Sequence, residues 1–524
     1  MSLLDTSTST PYYAVAIAVV IYRLILSSSQ ARRDNPNRLP LPPGPKGYPI
    51  IDNLLDFPTV RPWLVYDEWL KTYGDMIYFK VLGQSFLILG SLDRTYDLFE
   101  KRSSNYSDRP RMPMLNELCG LHLFYTSTVS HRRNLEWPMQ IETTRAFLRK
   151  LLASPEDFLL HVRHAIAATL LRATYGMAID DDEKAKEHVE TAEIALASLA
   201  EAGNPGSFLV DLFPAMKAIP SWVPGAGWKK KAAYWRTVSD TFVQKPWSMV
   251  IEKLKTGTAE PCVATAMIEK LPEDGSPNAA EETEIARNAC AVAFGAGSDT
   301  TVSTVQSFFM AMTLNPEVQK RAQEELDRAL GGRLPEFSDR PNLPYVTAVV
   351  KESMRWQLVT PLGENIDIIL DVRNPLIFRL SVGVPHKASE ADEYDGYYIP
   401  KDTIVIGNSW SILHDPTIYK DPFNYSPERF LKDGKIDPAV RDPTVAFFGF
   451  GRRICPGRFL SQDSMFILIS SLLSVFDIKP GLDNEGKEVK INPQMTNGLM
   501  SYPEPFKCRI TPRSTKAEQL IHQS

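Results

Sequence analysis

The longest apolar stretch lies near the start of the chain, Tyr12 to Leu26 (YYAVAIAVVIYRLIL), interrupted only by Arg23. As a helix those residues span about 22 Å, short of a hydrocarbon core of roughly 30 Å. The flanking serines, with Arg23 snorkelling towards the interface, close that gap. Arg23, Arg32, Arg33 and Arg38 follow the start of the stretch and only Asp5 precedes it. That charge order predicts an uncleaved N-terminal anchor with everything after it on the cytoplasmic side, whereas a cleaved signal peptide places its positive charge first. Leu39-Pro40-Leu41-Pro42-Pro43-Gly44-Pro45-Lys46-Gly47 is too proline-rich for helix and reads as a stiff spacer. The expected organisation is an anchor and basic flank over 1–38, a hinge over 39–49, one large domain over 50–513, and a loose polar tail over 514–524.

Helical periodicity dominates the middle and the C-terminal half. Glu281 to Met312 is a long apolar-periodic stretch without proline. Asn315-Pro316-Glu317 then supplies an N-cap, a proline at the first helical position and an acid in the first turn, and Gly331-Gly332 stops that helix. Another helix starts near Pro344, and a last one follows Cys455 as far as about Phe476. Strand patterning is short: Met76 to Leu89 broken at Gly83, Tyr397 to Ile406, and Lys507 to Ile510. The expected class is mainly α with small β-sheets.

Composition changes this picture little, at 44% apolar and 23% charged residues. The net charge of −5 implies no strongly basic surface, which argues against a nucleic-acid partner. The five cysteines (Cys119, Cys262, Cys290, Cys455, Cys508) contain no CxxC pair, so they form neither a disulfide framework nor a zinc site.

One cysteine stands in unusual company: Phe448-Gly449-Phe450-Gly451-Arg452-Arg453-Ile454-Cys455-Pro456-Gly457, followed by an apolar helix. Glycines permit a tight loop that holds a sulfur beneath a flat ligand. A cysteine just before a helix start meets unpaired N–H groups that favour the thiolate and lower its pKa. Arg453 is placed to pair with an anionic group at the ligand's edge. A lone cysteine is ordinarily a small buried hydrophobe, and it is the surrounding pattern that argues otherwise.

Phe448, Gly451, Arg453, Cys455 and Gly457 resemble FxxGxRxCxG, the haem-binding signature of the cytochromes P450. Ala296-Gly297-Ser298-Asp299-Thr300 is similar to that family's (A/G)GxDT segment. Two glycines inside a helix cost about 1 kcal/mol each, explained either by close packing or by a ligand approaching the backbone. Glu352 and Arg355 match ExxR, and Pro427-Glu428-Arg429-Phe430 supplies the arginine that completes it. An isolated i, i+3 pair would otherwise read as a weak surface salt bridge. The order of the four segments is that of the family.

The resemblance covers about residues 40–513 and implies the mainly helical cytochrome P450 fold behind a membrane anchor helix. It implies haem b, with Cys455 as axial ligand to the iron and Arg453, Phe448, Gly451 and Gly457 shaping the loop. It gives Thr300 and Asp299 to oxygen activation and proton relay, and makes Glu352, Arg355 and Arg429 a structural network. Pro385-His386 and Ile399-Pro400-Lys401 look like fungal microsomal enzymes of secondary metabolism, of the O-methylsterigmatocystin oxidoreductase-like group, in which His386 would contact a haem propionate.

Two departures stand out. The family's WxxxR pattern lacks its tryptophan, since Thr128 and Val129 stand four residues before Arg132 and Arg133, leaving Arg132 as the best propionate candidate. Residues Gly363 to Val382 (GENIDIILDVRNPLIFRLSV) interrupt a stretch that normally runs from Thr360-Pro361-Leu362 straight into Gly383-Val384-Pro385-His386. The insert reads as a retained intron or mispredicted exon rather than a substrate loop.

The implied activity is a monooxygenase that inserts one atom of O2 into an apolar small molecule. Nothing in the chain resembles a nucleotide-binding βαβ unit, so electrons would come from an NADPH-cytochrome P450 reductase on the endoplasmic reticulum membrane. The alternatives are a haem-thiolate peroxygenase or isomerase, against which Asp299-Thr300 counts, and an inactive haem-binding product of a defective gene. Met112 to Leu115, Phe294, Val359 and Leu499-Met500 are expected to line the pocket, and Arg132, Arg133, Arg452 and Arg458 to offer a basic docking face. Sequencing the transcript across residues 363–382 is expected to give a proportion of messages that join Leu362 directly to Gly383; their complete absence would make the insert a genuine part of the pocket.

Overall fold

In the computed structural model, the described residues are 35–119, 137–177, 182–202, 208–362, 385–497 and 500–524, save Thr59, Phe213 and Asp274. The expected anchor at Tyr12–Leu26, Arg132 and the insert Gly363–Val382 all lie outside them. Among the described residues, no helix is long and apolar enough to cross a membrane.

The helices that position the site are α1 (Pro62–Tyr73), α2 (Trp137–Ala153), α3 (Phe158–Tyr175), α4 (Asp182–Ala202), α5 (Gly227–Lys255), α6 (Ala279–Leu314), α7 (Pro316–Leu330), α8 (Pro344–Trp356), α9 (Arg458–Val475) and α10 (Thr515–Gln523). With 36 residues, α6 runs about 54 Å. Every residue from Thr301 to Thr313 is buried, so its C-terminal half meets protein on all sides. It packs on α3, α5, α8 and α9. The sequence punctuation is realised as written: Pro316 opens α7, and Gly331 ends it in the left-handed region at φ 62°.

One four-stranded sheet flanks the helices in the order β1 (Met76–Val81), β2 (Gln84–Leu89), β6 (Ile404–Gly407), β3 (His386–Lys387). Leu82 (φ 48°) and Gly83 (φ 86°) close the β1–β2 hairpin. The single strand expected over Tyr397–Ile406 is two. Tyr397–Ile399 (β5) pairs with Asp392–Tyr394 (β4) in a hairpin, whereas β6 runs parallel to β2. The reason is local: Pro400 has no N–H for a ladder, and Asp402 at φ 60° turns the chain. Phe476–Pro480 (β7) and Cys508–Pro512 (β8) form a separate antiparallel pair.

The tail expected to be loose is helical from Thr515. Ser514 caps α10 by accepting the Ala517 N–H at 3.1 Å, and Ala517 and Ile521, one turn apart, are buried against α2 and α9. Short polar composition hid an i, i+4 apolar pair and its cap. Ile521→Ala is therefore expected to cost about 2–5 kcal/mol in chemical denaturation of the full chain; an unchanged midpoint would mean that the helix is not part of the folded core.

Candidate functional site

The cysteine loop is built on backbone contacts. The Cys455 N–H donates to the Phe448 carbonyl at 2.8 Å, closing the turn between Phe447 and α9. Gly451 sits at φ 60°, and a Cβ there would stand 2.1 Å from the Phe99 carbonyl oxygen, so both conformation and space demand glycine. Phe450 stacks on Phe99 (5.7 Å between centroids, 26°), and Phe448 is buried. The N–H groups of Gly457 and Arg458 address the Cys455 thiol, and the Arg458 side chain turns back to donate to the Cys455 carbonyl at 3.2 Å. The net shift of the free thiol is the reverse of the expectation. Burial pushes the Cys455 thiol up, and the two N–H groups and the Arg458 charge only oppose that shift.

At one side of the loop, donors converge. His386 is buried and donates from Nδ1 to the Tyr106 carbonyl at 2.5 Å, while Arg453 Nε donates to the next carbonyl, Ser107, at 3.0 Å. The His386 ring lies 4.1 Å from the Phe99 ring, and Arg109 donates to the Pro385 carbonyl at 3.1 Å. Burial, and then the positive charge of Arg109 with that of Arg453, hold His386 down at about 3, so it is neutral at physiological pH. Nothing in the sequence singled out Arg109, which reaches the cluster from a segment far from both motifs. Arg132, its expected companion, is outside the described residues.

On α6, Ala296 is exposed and Thr300 half-exposed. The Thr300 hydroxyl donates back to the Ala296 carbonyl at 3.0 Å, the local bond that loosens a helix turn. Thr301 meets Ser461 of α9 at 3.1 Å, tying this segment to the helix that begins three residues after Cys455. At Gly297 a Cβ would fall 2.9 Å from Leu170 of α3, so that glycine serves close helix packing. Asp299 is buried beside Arg163 of α3, with the nearest ion-pair distance 3.3 Å. Phe294, expected in the pocket, instead packs between Phe242 and Tyr175 with 1% of its surface exposed. Val359 is buried, and Leu499 lies outside the described residues.

Behind the loop, Glu352 and Arg355 have no exposed side-chain surface, and Arg429 only 9%. Arg355 makes a two-pronged contact with Glu352 (2.7 and 2.8 Å), and Arg429 Nε reaches Glu352 Oε1 at 3.2 Å. The Ser426 N–H donates to the same oxygen at 2.8 Å, and both guanidinium groups donate to the Asn424 carbonyl.

The residues present fit a flat anionic ligand with a metal at its centre. A sulfur with aimed N–H groups lies in the loop, the buried His386 clusters with the half-buried Arg109 and Arg453 beside it, and Ala296 and Thr300 leave a turn of α6 open. A family model described as Cytochrome P450 matches residues 148–367 and 377–510. The chain belongs to the cytochrome P450 family. Among its relatives, Cytochrome P450 monooxygenase COX1 of Coprinopsis cinerea is 40% identical, over 98% of this chain and 100% of its own length. Cytochrome P450 monooxygenase COX2 of the same fungus is 41% identical, over 100% and 98%. Tryptamine 4-monooxygenase of Psilocybe cyanescens is 37% identical, over 95% and 98%. The break in the P450 match, 368–376, falls inside the insert noted above.

Glu352→Gln is expected to remove about 3–5 kcal/mol of stability, because two guanidinium groups lose their buried anion. Chemical denaturation and the haem-to-protein ratio check this; a loss below about 1 kcal/mol would be the behaviour of a surface pair.

Proposed function

We propose that this P450 is a haem-thiolate monooxygenase that inserts one atom of O2 into an apolar small molecule of fungal secondary metabolism. The observation that carries the reading is the Cys455 loop with its aimed N–H groups, whose Arg453 joins the His386–Arg109 cluster, while Thr301 links the Thr300 segment to the helix that follows the loop. Haem b is the cofactor that this set suits. Cys455 would hold the iron, and Arg453, His386 and Arg109 would meet the propionates. Bound there, the group supplies reductive activation of dioxygen, which a thiolate ligand favours by donating electron density.

The chain's own residues do the rest. The N–H groups of Gly457 and Arg458 stabilise charge on sulfur once the metal replaces the thiol proton. Apolar burial around Val359 and Met112 keeps water from the substrate. The Thr300 hydroxyl can exchange its bond to the Ala296 carbonyl for one to the oxygen under reaction, with Asp299 next in the line of proton supply. Electrons are proposed to come from an NADPH-cytochrome P450 reductase on the endoplasmic reticulum membrane, to which Tyr12–Leu26 would anchor the enzyme. The relative named for tryptamine makes that amine a rational first trial substrate.

The reduced, CO-bound protein is expected to show the red-shifted Soret band of thiolate ligation, and Cys455→Ala to lose it. An unshifted band in the wild type would remove Cys455 as ligand. With reductase and NADPH, Thr300→Ala should yield about tenfold less product per NADPH consumed. Product formed equally well on peroxide alone, without reductase, would make the enzyme a peroxygenase.

A further inference from the structure

Three sulfur-bearing side chains gather where the end of α3 meets the N-terminal half of α6. Cys290 of α6 has no exposed surface, and its Sγ lies 3.7 Å from Met267 Sδ on the short helix Val263–Ile268. Cys262 precedes that helix and is half-buried, and its Sγ accepts the Thr265 N–H at 3.5 Å. The same sulfur faces Gly176, where a Cβ would stand 3.6 Å from it. Burial, and then the charge of Cys262, push the Cys290 thiol up to about 12, so each thiol lies within the other's field. Tyr175, the last residue of α3, is buried beside both. Burial, and then the charges that Cys290 and Cys262 would carry, hold its phenol well above the ordinary range. Its hydroxyl finds no hydrogen-bond partner among the described residues.

A cysteine against a methionine in a core is ordinarily packing alone. Here a second, half-exposed thiol opens the pair towards solvent, and a buried hydroxyl is left without a partner. A neutral thiol is a weak acceptor and a thiolate a strong one, so Tyr175 gains a partner once a metal replaces a thiol proton. Two sulfurs each about 2.3 Å from one metal ion stand about 3.8–4.0 Å apart in tetrahedral or trigonal geometry. The Cys290–Met267 separation of 3.7 Å is close to that. Thiolate and thioether ligands select copper(I) over harder ions. Glu260 turns its carboxylate to Arg172 at 3.9 Å, and no cluster of three His, Cys, Asp or Glu gathers among the described residues, which leaves the position to sulfur.

We propose that Cys290, Met267 and Cys262 form a copper(I) site, with Cys262 as its entrance and Tyr175 donating to a bound thiolate. Binding replaces the two thiol protons, which leave to solvent, and copper keeps its oxidation state. One copper(I) with two thiolates carries a single negative charge. Lys253, whose ammonium donates to the Gly176 carbonyl at 3.1 Å, stands on the Cys262 side to offset it. The bound ion would fasten α6 to the neighbouring short helix about 15 Å along its axis from Thr300. It shares no residue with the haem site.

The test titrates the haem-loaded full chain with copper(I), without oxygen, against a chromogenic copper(I) chelator. One equivalent is expected to bind, in a sulfur-only shell by copper X-ray absorption. Cys290→Ser and Cys262→Ser should each lose that equivalent, and Met267→Leu, which conserves side-chain volume, should weaken it. Tyr175→Phe should weaken it about tenfold, as loss of a hydrogen bond to a ligand does. Cys119→Ser should leave it unchanged. No bound equivalent, a shell containing nitrogen, or loss of the equivalent in Cys119→Ser would each overturn the proposal. So would unchanged affinity in both Met267→Leu and Cys262→Ser, even if Cys290→Ser fails to fold.

Discussion

Glu352 is an anion with no contact to water, and two guanidinium groups and a backbone N–H close around it. Removing a carboxylate and a guanidinium from solvent costs several kcal/mol per ion, repaid only when the geometry is good and the remaining donors and acceptors are filled. Glu352 meets both conditions: Arg355 grips it in two places, and Arg429 and the Ser426 N–H take the rest of one oxygen. The guanidinium groups then spend their other donors on the carbonyls of Leu413, Lys420, Asp421 and Asn424. An irregular stretch with little secondary structure of its own is thereby pinned to α8. That stretch leads into the loop that carries Cys455. The network does no chemistry, yet the sulfur's position depends on it.

The cysteine loop shows how a ligand site can be built against the preference of its ligand. Alone, the Cys455 thiol resists ionisation because it is buried. The two aimed N–H groups and Arg458 are too weak to reverse this, but they are what a metal–thiolate bond needs around it. The same logic holds at the edge. His386 is kept neutral by burial beside two arginines, so its ring is already oriented without carrying a charge of its own. Both features describe a site whose electrostatics are completed by its cofactor.

Much of this was legible from spacing. Residues held together by neighbours in sequence, such as Glu352 with Arg355, Gly451 with Cys455, and Ala296 with Thr300, announce themselves at fixed intervals. So do helix stops such as Gly331. What the sequence concealed was long-range or compositional. Arg109 reaches His386 across 276 intervening positions by way of the Pro385 carbonyl. Arg163 and Tyr502 converge on Asp299 from opposite ends of the domain. Phe294 has the type and position of a pocket residue, yet its ring turns to Phe242, because adjacent positions on a helix point about 100° apart. The tail was misread since two small apolar contacts, Ala517 and Ile521, suffice when a cap and a packed surface are already present.

The insert at 363–382 lengthens one connection of the P450 domain. Its flanks are both fastened to the core: the Pro361 carbonyl accepts the Trp410 N–H at 2.7 Å, and the Pro385 carbonyl accepts from Arg109 at 3.1 Å. A longer connection between two fixed ends costs only about 0.6 kcal/mol for each doubling of its length. The Glu352 network and the Cys455 loop lie outside it in sequence. Val359 and His386 bracket it, and both are buried. The extra residues therefore enter the chain between a buried apolar side chain and the cluster built on His386.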